Sequence, residues 1–433
     1  MSNIASMDMT QEITNLNLDA GQAISCQSNS IFLVLPLPFW EKEGEILVES
    51  QAGHGLDRWA ENFDRVIVAA PVDHRPDNPV SSWTWKPLTT LQHSQSIQFI
   101  PLPQAYDLQH FSRVYRKTRK QLSSLIRESR YLQFAIGGLV GDWGAVSALE
   151  ASKQQRKFAV WADRVEHQVI GRTETSFRSK LINLVRLPLM KQLERRVVKK
   201  CTIGLFNGNE TFSYYQDFNA SSFKVHDIHT SESHYISPED LKKKQQHIIT
   251  GQPIRICYSG RADQMKAPLQ WLEVIQHLDA AGINFTALWM GDGDLLPELK
   301  QGVQAAKLSN KVILPGFIEQ HDDAMKAMRE SDIFLFTHIT PESPRCLIES
   351  LISGTPIIGY GSAYSQDLIA NDGGGELVPT GDSKALADTV IKLVNDRQKL
   401  SRLVEQAAKN GRRFNDIEAF RHRSHLIKEY QQK

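Results

Sequence analysis

Short apolar runs alternate with longer amphipathic ones along this chain. In the first half the apolar runs cover residues 31–37, 66–71, 97–102, 132–137, 158–162 and 202–206. Each is strand-sized, rich in β-branched or aromatic side chains, and closed by Pro, Gly, Asp or Asn, which predicts strands buried on both faces. Helical patterns fill the gaps at 56–62, 108–130, 143–154 and 178–200, the last interrupted by Pro188 and so readable as two helices. A polar stretch follows, with Pro238, the run Lys242-Lys243-Lys244, Gly251 and Pro253. The alternation then resumes, with strands predicted at 254–258, 286–290, 312–314, 333–337, 356–360 and 376–378. Helices are predicted at 268–281, 296–306, 320–330, 345–353 and 384–395, and a long polar helix at 417–432.

Strand–helix alternation implies parallel sheets with helices on both faces. The chain therefore reads as α/β, two tandem doubly wound Rossmann-like domains. The expected division is a polar N-terminal extension 1–30, a first domain 31–237, a linker 238–253, a second domain 254–414 and a C-terminal helix 415–433. In open α/β sheets ligands sit at the carboxyl ends of the strands. Two such domains place the expected site in the cleft between them.

Composition narrows the partners. A chain of 433 residues with 41% hydrophobic and 23% charged side chains is an ordinary globular protein. Lys and Arg number 50 against 49 Asp and Glu, so whole-chain charge argues for no polyanion. Cys26, Cys201, Cys257 and Cys346 form no CxxC pair, which fits a reducing compartment and no zinc ribbon. The first thirty residues carry no Lys or Arg and no apolar run, and no later stretch has membrane-spanning length. A cytoplasmic location is expected. Two basic helical stretches qualify this: residues 111–130 hold seven Lys or Arg against one Glu, and 171–200 hold nine against two. In the second, Leu181, Leu184, Val185, Leu187 and Leu189 interleave with the cations. Such a helix packs on the sheet with a solvated cationic face, or lies on an anionic membrane surface. With few stacking aromatics (Phe111, Tyr115, Phe177), nucleic acid is not an expected partner.

The candidate chemistry clusters in the second half. Gly260 gives the first strand of that half a tight exit turn, and Arg261 and Lys266 flank the loop beyond it. A guanidinium fork and an ammonium point charge there suit a diphosphate, though two solvated surface charges would look the same. Gly291 and Gly293 form a GxG turn after the next strand, which lets backbone approach a ligand. Leu296 stands where a dinucleotide fingerprint needs its third glycine. Gly316 closes the third strand. The segment 340–356 then opens a helix whose free N–H groups favour phosphate. Glu349 lies a turn inside it, able to accept from ribose hydroxyls, and Glu342 precedes it, within reach of a sugar. In the first half Glu43 and Gly44 lie in the loop after the first strand, and His54 opens the next helix. Asp142 and Asp163 follow the fourth and fifth strands; all five are acceptor-side candidates. No P-loop and no HExxH motif occurs.

Arg261 and Lys266 five apart, the Gly291-x-Gly293 turn, Pro315-Gly316-Phe317, and Glu349 before Gly354-Thr355-Pro356 occur in that order. The order and spacing resemble retaining glycosyltransferases of the GT-B fold, family four, over residues 254–393; the first half resembles them only in architecture. The resemblance implies a nucleotide-sugar on the second domain and the acceptor on the first. It implies Arg261 and Lys266 on the diphosphate, Glu349 on the ribose, and Glu342, Ser343, Pro344, Arg345, Cys346 and Leu347 along the donor sugar and phosphates. Arg261, Lys266 and Glu342 are the expected catalytic residues, with no metal or cofactor. The implied reaction is transfer with retention to a hydroxyl of a glycan or lipid-linked glycan, as in polysaccharide biosynthesis. Two features depart from the family pattern. Its paired glutamates have seven residues between them, whereas Glu342 and Glu349 have six. Ile136-Gly137-Gly138-Leu139 stands where many members carry a histidine. These departures leave a second expectation, a catalytically impaired nucleotide-sugar-binding partner subunit.

Overall fold

The computed structural model describes residues 29–80, 83–174 and 176–432; apart from its last two positions, the N-terminal extension lies outside them. The first sheet is 10-stranded. Its parallel run is Ser222–Val225, Ile203–Asn207, Ala159–Ala162, Tyr131–Ala135, Ser30–Val34, Arg65–Asp73 and Ile97–Leu102. The second sheet is 6-stranded and wholly parallel, ordered Val312–Gly316, Phe285–Met290, Ile254–Ser259, Ile333–Phe336, Ile357–Tyr360 and Gly375–Val378. Both are clad by helices, so central strands such as Ser30–Val34 and Ile333–Phe336 are buried along their whole length. One core lies on each face of the first sheet and a single larger core surrounds the second, with Trp271 and Trp289 inside it.

Three stretches differ from their sequence reading. Residues after the first strand form a hairpin, Phe39–Lys42 paired antiparallel with Glu45–Glu49. Glu43 and Gly44 are its two turn residues, exposed, at φ 53° and 79°. Two consecutive positive φ values match the right-handed strand twist, which is why this turn closes the hairpin.

The polar stretch between the domains is largely helix, Pro238–Ile249. Ser237 accepts from the Asp240 N–H and Pro238 stands in the first turn. Lys244 is buried there, donating to the carbonyls of Ser353 and Gly354 at 3.0 and 3.1 Å and to Thr355 Oγ1 at 2.8 Å. Burial pushes its ammonium down to about 7.

Pro188 does not split its helix: Phe177–Lys200 is continuous. The carbonyl deprived of an N–H partner belongs to Leu184, on the exposed side with Pro188, where solvent can satisfy it.

The C-terminal helix Asp416–Gln432 crosses back to the first sheet. Phe420, Leu426 and Ile427 enter its core, and the Gln431 amide pairs with the Leu132 backbone N–H and carbonyl, each at 2.9 Å.

Candidate active site in the interdomain cleft

The carboxyl ends of both sheets face a cleft of about 830 Å³. Leu35, Ala135, Trp161 and Asp163 line it from the first sheet, and Tyr258, Gly260, Met290 and His338 from the second. The domains meet at its rim, where Ser343 Oγ donates to the Asn207 carbonyl at 2.8 Å and Thr84 Oγ1 to that of Glu319 at 3.1 Å.

The second-domain floor is three strand-end loops knitted by backbone hydrogen bonds. The N–H of Gly260 meets the Met290 carbonyl at 2.9 Å, Ala262 meets Asp292 at 2.9 Å, and Gly291 meets Gly316 at 2.8 Å. A Cβ on Gly291 would stand 2.0 Å from the Gly260 carbonyl oxygen, and one on Gly293 would stand 2.6 Å from that of Ala262. The GxG turn therefore owes its glycines to loop-on-loop packing rather than to close approach of a ligand. Gly260 and Gly291 line the cleft; Gly293 and Gly316 stand behind that lining, and Leu347 points into the core.

Lys266 and Glu342, 76 residues apart, meet at 2.6 Å with both side chains buried. The carboxylate oxygen that takes Lys266 also lies 2.8 Å from His338 Nδ1 and accepts from Thr340 Oγ1 at 3.2 Å. The Tyr258 hydroxyl lies 2.5 Å from His338 Nε2. His338 Nδ1 also lies 3.5 Å from Lys266 Nζ, so the imidazole is held between Tyr258 on one side and the Lys266–Glu342 pair on the other. Burial and the nearby Lys266 push His338 down to about 4, against the pull of Glu342. Burial opposes ionisation of Glu342 too, but Lys266 and His338 outweigh it and hold its carboxyl far below the usual range. His338 was not among the expected site residues. Its signal was its position, one residue beyond a predicted strand and four before Glu342.

Arg261 is half-exposed above this network, its nearest carboxylate Asp263 at 3.5 Å. The helix Arg345–Ile352 opens at Pro344 with no side-chain cap, leaving its first N–H groups toward the cleft beside Ser343, Arg345 and Cys346. Glu349, one turn in, lies 3.0 Å from His321 Nε2. Burial raises and the His321 pairing lowers its carboxyl, and the lowering prevails.

On the first-domain wall Asp163 Oδ1 accepts from Asn207 Nδ2 at 2.6 Å. Burial and the neighbouring Asp227 raise its carboxyl. Asp227, facing His229 at 3.2 Å and Arg345 at 3.8 Å, is held low despite its burial.

The other acceptor-side candidates stand apart from the lining. Glu43 and Gly44 are in the hairpin turn. His54 is bound to Asp416 of the C-terminal helix. Asp142 caps the helix Trp143–Lys153, accepting from the N–H groups of Gly137, Gly138 and Ala145 at 2.7 to 3.1 Å. Among the described residues His234, His321 and Asp322 could bring three ligand atoms within 4.8 Å of one another. His234 Nδ1 accepts the Ser231 N–H, which leaves Nε2–H toward Asp322, and His321 faces Glu349. The ligand atoms of that cluster are thus already engaged, Asp322 with His234 and His321 with Glu349.

Residues 239–410 match the family described as Glycosyl transferases group 1. The amylovoran biosynthesis glycosyltransferase AmsK of Erwinia amylovora is 28% identical over 44% of this chain and 48% of its own length. The chain thus matches about half of that relative. The alpha-D-kanosaminyltransferase of Streptomyces kanamyceticus is 21% identical over 84% of this chain and 92% of its own. Among solved structures, Anabaena Alr3699/HepE in complex with UDP superposes with a TM-score of 0.64 at 15% identity, covering 93% of this chain and 100% of that one. Residues 239–410 thus carry the match to glycosyl transferases group 1, in a chain with the GT-B fold.

Proposed function

We propose that this chain is a glycosyltransferase that moves a sugar from a nucleoside-diphosphate sugar to an acceptor hydroxyl. The observation that carries the reading is Lys266, buried at the cleft floor beside Arg261 and an uncapped helix start, within a family-matched domain. In this reading Arg261, Lys266 and the helix N-terminus take the diphosphate, and Glu349 takes the ribose. Ser343 to Cys346 line the donor sugar. Lys266 exchanges Glu342 for phosphate oxygens when the donor binds. The bond from the anomeric carbon to the phosphate oxygen breaks as the acceptor oxygen attacks from the same face, and the hydroxyl proton leaves with the nucleoside diphosphate. The two cations and the helix dipole stabilise the departing charge, with no metal. Retention rests on the family resemblance.

Calorimetric titration of UDP, GDP and ADP into wild type and Lys266→Ala tests this. One nucleotide should bind, and Lys266→Ala should lose at least about tenfold in affinity while keeping its circular dichroism. Binding of none would leave a partner-subunit role. Binding without release of nucleotide on any glycan acceptor would favour the impaired reading.

Among the described residues no helix is long and apolar enough to cross a membrane. The first half of helix Phe177–Lys200 is nonetheless exposed and apolar. Phe177 is 80% and Leu184 72% exposed, with Leu181, Ile182, Val185 and Leu189 beside them. Arg178, Lys180 and Lys191 surround the patch. An apolar stripe rimmed by cations suits an anionic lipid surface, and we propose that this helix docks the protein there to meet a lipid-linked glycan.

A further inference from the structure

The cleft holds a cation that the donor-side reading leaves unused. Arg423 stands on the C-terminal helix where it passes beneath the first sheet, and is 4% exposed. Its guanidinium carbon lies 4.0 Å from the ring centre of Trp161 and 5.0 Å from those of Trp59 and Phe420. The rings attract the charge and hold the plane, but offer no lone pairs. Nε is buried with no hydrogen-bond partner. Asp227 and Asp163 attract it without accepting from it. Asp227 is turned to His229 and Arg345, and Asp163 Oδ1 to Asn207. Burial lowers the guanidinium to about 10. A buried charge with an unpaired Nε–H is costly to the folded chain alone. His229 Nδ1, also lining the cleft, is unpaired as well.

We propose that Arg423 anchors a second anion subsite, on the first-domain wall of the cleft, that takes a carboxylate or phosphate group carried by the acceptor. The inference rests on the glycosyl-transfer reading and names its acceptor class. A guanidinium already oriented by three rings loses little freedom on forming a two-pronged contact with either anion. A neutral acceptor leaves it unpaired, so the subsite discriminates as well as binds. Arg423 positions the acceptor and takes no part in bond-making.

The test is calorimetric, on the full chain with whichever of UDP, GDP and ADP binds, at saturation, to fill the donor subsite. The probes are methyl β-D-glucuronide, glucose 6-phosphate and methyl β-D-glucoside. At least one anionic probe should bind at least about tenfold more tightly than the glucoside. A preference for the glucuronide points to a uronic acid, and one for the sugar phosphate to a phosphate-bearing acceptor. Arg423→Met keeps the side-chain bulk among the rings and should bring all three probes within about twofold, without lowering the melting temperature. Arg423→Lys keeps charge without the fork and should fall between them. Equal binding of all probes to wild type that binds a nucleotide, or a preference that survives in folded Arg423→Met, overturns the proposal. If none of UDP, GDP and ADP binds, the donor-site reading fails, and the same probe comparison without nucleotide still decides Arg423.

Discussion

Replacing His338 by asparagine should flatten the acid side of the stability profile. The unfolded chain takes up a proton on this histidine near 6.5, whereas the folded site resists it until about 4. Below 6.5 the unfolded state therefore binds more protons, and stability falls with pH. Stability from this source is complete above 6.5 and is lost through the window from 6.5 down to about 4. The full depression corresponds to about 3 kcal/mol, of which about 2 kcal/mol is lost by pH 5. His338 is 4% exposed, so solvent screens little of this. His226, also pushed down by burial to about 4, contributes to wild type and variant alike and cancels in the comparison. The assay is urea unfolding followed by tryptophan fluorescence, since Trp271 and Trp289 are wholly buried in the same domain. Between pH 7.5 and 5.0 wild type should lose about 2 kcal/mol more than His338→Asn, whatever their absolute difference. Parallel profiles would refute the neutral, buried histidine placed at the site.

Gly291→Ala should destabilise the second domain by about 3 kcal/mol, because its Cβ meets the Gly260 carbonyl at φ 148°. A melting temperature unchanged from wild type would contradict the loop packing. Leu184→Asp with Val185→Glu should leave stability unchanged, since both side chains are exposed. It should cut co-sedimentation with phosphatidylglycerol vesicles more than tenfold at low salt. Salt-insensitive binding, or none in wild type, would remove the membrane reading.

Much of the frame was legible because apolar runs of strand length, separated by helical patterns, have few alternatives. The six strands predicted in each half all occur, and all twelve pair in parallel; the hairpin and Trp85–Pro87 at one edge of the first sheet add antiparallel pairing. Short edge elements were not legible: Ser222–Val225 is only partly buried, and the helix Ala363–Ile369 has only seven residues, too little of either for a period to show. Arg397–Gly411 went unread although its apolar positions keep helical spacing.

The site divides along a different line. Sequence order alone brought Arg261, Lys266, Glu342 and Glu349 forward as one set, since each follows a strand end and strand ends of a parallel sheet converge. Sequence did not decide what each side chain faces. Lys244, in a triple-lysine run that reads as solvated, is buried on the carbonyls that end another helix, because the helix it belongs to packs there. His54, expected to open a helix, lies within the helix Ser50–Ala60 and is turned to Asp416, 362 residues away. Arg423 reads as one more charge on a polar helix. Its place against Trp59 and Trp161, rings from remote parts of the chain, arises only when that helix crosses back under the first sheet. Local pattern is written in the period of neighbouring residues, so the sequence carries it. Partners separated by hundreds of residues are chosen by packing, and only the tertiary structure decides them.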